Sequence, residues 1–158
     1  SKGGNLIAFE NAIRIFTNKD GFSVKVKTNE NERNKDVKFE DLNRESIQSY
    51  LSGAIFKVNI DNTHPLAYGY ENEYYSLKLS SSIYEKLKRG FNVGKIDDEI
   101  STIGFVGDNI KDKFKNSMVF GHERIGGGNV IYFADNILFR SFWENGKLFL
   151  VNSIFYIN

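Results

Sequence analysis

The sequence predicts a single domain of mixed helix and strand, of the α/β or α+β class. The chain has 158 residues, which suits one domain that buries about 70% of the surface of its unfolded chain. Its hydrophobic fraction of 41% and aromatic fraction of 15% are sufficient for a core. Segments in which apolar residues alternate are interspersed with segments that have a helical apolar face, and this mixture predicts sheet and helices together.

The first third of the chain is predicted to contain two strands and two helices. Residues 6–9 form a short apolar run after glycines, typical of a buried strand in a parallel sheet. Residues 10–16 have a helical apolar face, and residues 22–27 alternate like a half-buried strand. Residues 29–41 are densely charged, which predicts a solvated loop, and a short helix is expected over 44–51.

The middle of the chain predicts short strands that are joined by turns. The alternating segment 54–60 is followed by a turn of suitable composition at 61–65. The other predicted elements are strands at 74–79, 92–96 and 102–106, a short helical or irregular stretch at 83–87, and a helix over 108–114 with Asp108 or Asn109 as its cap.

The last third predicts a hairpin and a helix. Two strands, 117–121 and 129–134, flank a glycine turn at 126–128 and are expected to pair. A helix over 140–155 is expected to pack on the sheet. We expect Asp135 to cap this helix, and Arg140 to pair with Glu144 at i,i+4.

Composition argues against several classes of function. The chain has no cysteine, so it has no disulfide, no thiolate metal ligand and no cysteine nucleophile. The net charge of +1 gives no overall field that would favour nucleic acid or an anionic membrane. No run of eighteen apolar residues is present, so no membrane span is predicted.

Only two histidines are available for acid–base or metal chemistry, and neither lies in a zinc-binding motif. His64 precedes Pro65 and is interpreted as a turn residue, whereas His122 is interpreted as a polar strand end. A serine triad could use either histidine, but the chain has no Gly-x-Ser-x-Gly elbow. The glycines 126–128 lack the Lys-Ser/Thr of a phosphate-binding loop, and a hairpin turn explains them better.

Several motifs carry a resemblance to a known family. The segments 62–70 (NTHPLAYGY) and 134–148 (ADNILFRSFWENGKL) resemble the C-terminal region of large zinc carboxypeptidase-like proteins of Bacteroidetes, in the carboxypeptidase A-type metallopeptidase family. The opening GGNLIA, residues 3–8, is similar to a strand of the class I glutamine amidotransferase-like domain that follows the catalytic domain in those proteins. The segments 104–107 and 116–121 fit the same pattern, so the resemblance spans nearly the whole chain.

The resemblance implies a fold, a parent activity and a location. It implies an α/β, flavodoxin-like three-layer sandwich that lacks its first βα units, with 1–158 as one C-terminal accessory domain. The parent would be a zinc metallocarboxypeptidase, a proteolytic hydrolase that is periplasmic or secreted. The zinc and its ligands would lie in an upstream catalytic domain, so this chain is expected to hold no cofactor. No catalytic residue is carried over, because the amidotransferase nucleophile is a cysteine and this chain has none.

The implied partner is the upstream catalytic domain of the same protein. Self-association is also expected, because the missing units would leave a sheet edge uncovered. Neither nucleic acid nor a membrane-spanning segment is expected.

Three functions remain open from the sequence. The first is a non-catalytic accessory domain, and the second is a peptide- or glycan-binding module with a groove lined by Tyr68, Tyr70, Tyr74 and Tyr75. The third is a degenerate amidotransferase-like hydrolase, in which a hydroxyl would approach a histidine. The side chains expected at a binding surface are His64, Tyr68, Tyr70, Arg140 and Trp143. Core packing is the competing interpretation of Phe142 and Trp143.

Overall fold

The computed structural model describes residues 3–27 and 38–157, in which a mixed sheet of eight strands carries the helices. The strands are β1 (Gly4–Phe9), β2 (Ala54–Ile60), β3 (Glu73–Lys78), β4 (Tyr84–Glu85), β5 (Phe91–Ile96), β6 (Thr102–Ile103), β7 (Ser117–Ile125) and β8 (Gly128–Phe133). The helices are α1 (Leu42–Gln48), α2 (Asp108–Phe114) and α3 (Glu144–Phe155). Short 3-10 segments occupy Glu10–Ile15, Phe39–Asp41, Pro65–Ala67 and Phe139–Ser141.

The strands follow the order β1-β8-β7-β5-β2-β3, with β4 paired to β7 and β6 paired to β2. β1 runs parallel to β8, while the other pairs described are antiparallel. The predicted mixed α/β class is therefore confirmed. The prediction of a hairpin around the glycine turn is also confirmed. The first strand pairs in parallel as expected, but the prediction of a buried strand in a parallel sheet is otherwise wrong, because β1 is an edge strand of the described sheet in which only Ala8 is buried.

Each face of the sheet carries its own apolar core, because successive side chains of a strand point to opposite faces. On β8, Ile131 and Phe133 belong to the larger core, and Val130 and Tyr132 to the smaller one. The larger core lies under α3, whose Phe149 packs 4.6 Å from Phe120, measured between ring centroids. The functional site described below lies on this same face.

The predicted strand over 22–27 is wrong, since the structure has only an isolated bridge between Val26 and Tyr84 there. Val24 is fully buried as the alternation requires, but beyond this bridge the backbone of the segment does not form the hydrogen bonds of a strand. The Ser23 amide donates to the Glu123 carboxylate (3.1 Å) instead of to a neighbouring strand. Of the predicted loop over 29–41, residues 29–37 lie outside the described residues, and Phe39–Asp41 form a 3-10 turn.

Asp135 does not cap the last helix, contrary to prediction. Its carboxylate accepts from Lys78 Nζ at 2.8 Å and from Ser76 Oγ at 2.5 Å, and all three side chains are buried. An unpaired ammonium at Lys78 would be costly in this position. The role of Asp135 is therefore to pair with Lys78 in the core and not to cap a helix.

The predicted pair between Arg140 and Glu144 is not formed as a helical i,i+4 pair, because α3 begins only at Glu144. Arg140 has a left-handed φ of 48° in the preceding 3-10 turn, and Glu144 pairs with Lys147 instead. The predicted side-chain cap of α2 is also wrong. Gly107 occupies the N-cap position, without a side-chain hydrogen bond.

The contact between α3 and the loop before it requires a glycine. A Cβ on Gly146 would lie 1.9 Å from the carbonyl oxygen of Ile137. We therefore predict that Gly146→Ala lowers the free energy of unfolding by at least about 1–3 kcal/mol, the usual cost of overpacking. In an exposed helix position the same change would stabilise by about 1 kcal/mol. Urea denaturation measures the difference.

The control for this prediction is Asn145→Ala, in the same turn of α3. Asn145 is exposed, and its carbonyl, which accepts from Tyr70, is retained by alanine. The control should leave stability unchanged or slightly raised. Equal stability of Gly146→Ala and Asn145→Ala would show that the close approach is not a constraint.

Candidate functional site

The two histidines of the chain meet in the structure, although 58 positions separate them. His64 lies in the turn after β2, and His122 lies in the middle of β7. His64 Nε2 and His122 Nδ1 are 3.1 Å apart, and both side chains are buried. The face of the sheet that carries the larger core therefore also carries a buried imidazole pair, which the sequence did not predict.

The pair belongs to a longer run of hydrogen bonds, which we call the histidine network: His64, His122, Asn129 and Asn5. His64 Nδ1 accepts from the backbone N–H of Leu66 at 3.1 Å. His122 Nε2 lies 3.0 Å from Asn129 Oδ1, and Asn129 Nδ2 donates to Asn5 Oδ1 at 2.9 Å. Asn5 Nδ2 then donates to the carbonyl of Ile157 at 2.6 Å.

The backbone groups at the two ends fix the tautomers. Because the Leu66 N–H can only donate, His64 Nδ1 carries no proton and the neutral ring is protonated at Nε2. His64 Nε2–H then donates to His122 Nδ1, and His122 Nε2–H donates to Asn129 Oδ1. Every ring nitrogen of both histidines is thereby engaged.

Sheet register brings these residues together. Asn5 lies directly opposite Asn129 in the parallel β1–β8 pair. Asn129 lies opposite Arg124 in the β7–β8 hairpin, two residues beyond His122 and on the same face. His64 is supplied by the turn, where it caps the 3-10 segment Pro65–Ala67.

A cleft of about 430 Å³ opens beside the pair. Phe91, opposite His122 in the β5–β7 ladder, stacks on the His122 ring with centroids 5.8 Å apart. The other lining residues are Asp61, Thr63, His64, Pro65, Arg124, Tyr156 and Ile157. The cleft therefore combines aromatic walls with one acidic side chain, Asp61, and one cationic side chain, Arg124.

Burial keeps both histidines neutral. The pKa of His64 is lowered to about 4, mainly by burial and then by His122, while the Asp61 carboxylate opposes the shift. Burial also lowers the pKa of His122, against the hydrogen bond to Asn129 that raises it. Arg124 lowers this pKa further and Glu123 raises it.

The histidine pair does not fit a metal ion in this geometry. A histidine that binds metal through one nitrogen normally donates from the other, whereas His64 Nδ1 accepts from Leu66. Within the described ranges, no three side chains of His, Asp or Glu converge as a metal-binding group. The expected lack of a cofactor in this chain stays a prediction.

Nucleophilic chemistry also finds little support at the pair. Thr63 lines the cleft, but its hydroxyl donates to Asp61 Oδ1 at 2.6 Å. The recorded hydrogen bonds of the two rings go to Leu66, to Asn129 and to each other. No base with a free nitrogen is therefore available to activate a hydroxyl in this arrangement.

A second polar cluster lies on the other face of the sheet. Glu123 is buried there and accepts from Tyr132 Oη and from Ser23 Oγ, both at 2.5 Å. Burial, with the adjacent Glu123 carboxylate, raises the pKa of the Tyr132 phenol. This cluster ties the segment around Ser23 to β7, and we interpret it as structural.

The side chains predicted from sequence to form a binding surface do not converge. His64 joins the histidine network, whereas Tyr70 packs on Phe149 at 4.0 Å between centroids. Trp143 Nε1 donates to Tyr74 Oη at 3.2 Å. Tyr68 is exposed and meets the edge of Tyr156, and Arg140 lies near the Phe139 ring in the exposed 3-10 turn.

The groove of tyrosines expected for a peptide- or glycan-binding module is not formed. Tyr74 is buried in the core. Tyr70 Oη both donates to the Asn145 carbonyl and accepts from the Phe149 amide. The cleft beside the histidines is instead lined by Phe91 and Tyr156, which no sequence motif indicated.

Comparisons of this chain with protein-family models, curated proteins and solved structures found no match. In the part of the chain that the structure describes, no helix is long and apolar enough to cross a membrane.

The pKa of His64 predicts a loss of stability in mild acid. In the unfolded chain His64 has a pKa near 6.5, whereas in the folded chain its pKa is lowered to about 4. The unfolded state therefore binds more protons in this window, and stability falls as pH falls through it. We expect the free energy of unfolding to drop by on the order of 1–3 kcal/mol between pH 7.5 and pH 5.

His64→Asn is the matched variant for this measurement by urea denaturation. Its side-chain oxygen can still accept from Leu66, but it does not titrate. The variant should lose less stability between pH 7.5 and pH 5 than the unaltered chain. Parallel stability curves for the two proteins would contradict a neutral, buried His64.

Proposed function

We propose that this chain is a non-catalytic accessory domain of a zinc carboxypeptidase-like protein. The observation that carries the proposal is the saturation of the histidine network. The only two histidines of the chain use every ring nitrogen within the fold. Neither therefore offers a lone pair for zinc or for general-base catalysis, and the parent's chemistry would belong to another domain.

The outer face of α3 supports attachment to another protein surface. Leu148, Val151, Ile154 and Phe155 are all exposed on this face, which we call the α3 outer face. Residues 148–157 include no charged residue. An exposed helix face that carries several large apolar side chains is typical of one that another surface covers.

The catalytic domain of the same protein is the partner that we propose for this face. The resemblance rests on two motifs close to this helix. The motif 62–70 includes the turn after β2, and the motif 134–148 extends into the beginning of α3. The amidotransferase-like fold and a periplasmic or secreted location belong to the same proposal. β1 is an edge strand of the described sheet with β8 as its parallel neighbour. Further parallel strands of that fold could add beside it.

Zinc content and peptidase activity test the proposal directly. We expect the isolated domain to retain no stoichiometric zinc after dialysis and to release no C-terminal residue from peptides, because its histidine nitrogens are engaged. Elemental analysis and a chromatographic peptide assay provide the measurements. Stoichiometric zinc that His64→Asn removes, or turnover that this variant abolishes, would overturn the proposal.

The second candidate function, a peptide- or glycan-binding module, is favoured by the cleft beside the histidines. Phe91 and Tyr156 give it aromatic walls, and Asp61 and Arg124 give it charges of both signs. Saturable changes in the NMR signals of Phe91 and Tyr156 on adding a peptide or glycan would favour this function over a purely accessory one.

The α3 outer face predicts self-association of the isolated chain. We expect light scattering to show dimers or larger species whose proportion rises with concentration. Phe155→Glu should reduce this association, because a carboxylate would have to be desolvated in the contact. Phe155 is 68% exposed, so the substitution should not disturb the core.

Ile47→Glu provides the matched control, since Ile47 is 58% exposed on α1 rather than on α3. The control should associate like the unaltered chain. A clean monomer at high concentration, or an equal effect of both substitutions, would contradict a role for the α3 outer face.

A further inference from the structure

The histidine network connects parts of the chain that are distant in sequence. It begins at the turn 61–68, crosses β7, β8 and β1 through side chains, and ends at the carbonyl of Ile157. Ile157 lies two residues beyond Phe155, the last residue of α3, and is buried. The network therefore fastens both the turn and the end of the last helix to the sheet.

A second contact joins the same turn to α3. Asn152 is buried, and its Nδ2 donates to the carbonyls of Leu66 (3.0 Å) and Tyr68 (2.8 Å). The turn thus lies between α3 and β7, and its position depends on both contacts. A change at His64 would therefore reach α3 through two contacts, the network bond at Ile157 and the bonds of Asn152 to the turn.

The network has no place for an additional proton. Its first group, the Leu66 N–H, can only donate, and its last, the Ile157 carbonyl, can only accept. A proton on His64 Nδ1 would face the Leu66 N–H, and a proton on His122 Nδ1 would face His64 Nε2–H. Reversing the tautomers only moves the donor–donor contact to the Leu66 end.

We propose that the histidine network is an acid-operated clasp: proton uptake by the His64–His122 pair releases the turn 61–68 and the C-terminal end of α3 from the sheet. The protonated pair replaces an attractive contact by a repulsive one, so at least one bond of the network breaks. His64 then turns toward the cleft, where water solvates its charge. This inference does not depend on the proposed accessory function.

The charged and titratable groups around the pair set the pH of release. Asp61, beside His64, favours the protonated ring. Arg124, on the same face of β7 as His122, opposes protonation, while Glu123 favours it from the other face. Tyr156 lines the cleft as well. β5 contributes the uncharged Phe91.

NMR between pH 7.5 and pH 4 tests the clasp on the whole chain. Ring ¹⁵N shifts should show both histidines as Nε2–H tautomers at neutral pH. As the rings protonate, amide protection factors should fall at 61–68 and 150–157, while those of β2 and β7 are retained. Protection factors are the suitable measure, because they remove the intrinsic pH dependence of exchange.

Two variants at the rim of the cleft should shift the pH of release in opposite directions. Asp61→Asn retains the oxygen that accepts from Thr63 but removes the charge, so release should need a lower pH. Arg124→Gln removes a charge that opposes protonation, so release should occur at a higher pH. Each shift is expected to be about 0.3–1 pH unit.

His64→Asn combined with His122→Gln provides the non-titrating reference. Its protection at 61–68 and 150–157 should not change between pH 7.5 and pH 4, even if the variant is less stable throughout. The clasp is overturned if both histidines protonate while protection at 150–157 is retained. It is also overturned if the two rim variants shift release in the same direction, or if the rings titrate near pH 6.5.

Discussion

The hydrogen bond from the Leu66 N–H to His64 Nδ1 determines the state of the whole site. It is a local contact, made within one turn, yet it fixes which nitrogen of His64 carries a proton. That choice makes His122 an acceptor at Nδ1 and a donor at Nε2, and it orients Asn129 and Asn5 in turn. A backbone donor cannot reverse its role, so neutrality of both rings is built into the fold.

The sequence predicts the strands better than it predicts the site. The alternation in 54–60 corresponds to β2, whose side chains alternate between buried and half-buried. The glycine turn correctly predicts the β7–β8 hairpin. These signals are local, because each depends on residues within a few positions of one another.

The histidine pair could not be predicted in the same way. His64 and His122 are 58 positions apart, and Asn5 and Asn129 are 124 apart. Their contacts depend on the strand order and on register, which side-chain alternation alone does not specify. One local signal was available: a histidine before Pro65 can cap a 3-10 turn, and such a cap requires an acceptor at Nδ1. Lys78 illustrates the same limit, because it pairs with Asp135 although β3, which holds Lys78, and β8, which precedes Asp135, are not neighbours in the sheet.

The last helix shows why the polar contacts matter for the arrangement of the fold. On its core side, α3 places Asn152 and Ser153 beside Phe149, whereas its exposed side is apolar. Burial of apolar surface alone would therefore specify the rotation of this helix only weakly. The two bonds from Asn152 to the turn, and the network bond at Ile157, favour one rotation over the others. Polar contacts thus set the rotation of a helix that apolar burial alone specifies only weakly, and one of these contacts, the bond at Ile157, belongs to the histidine network.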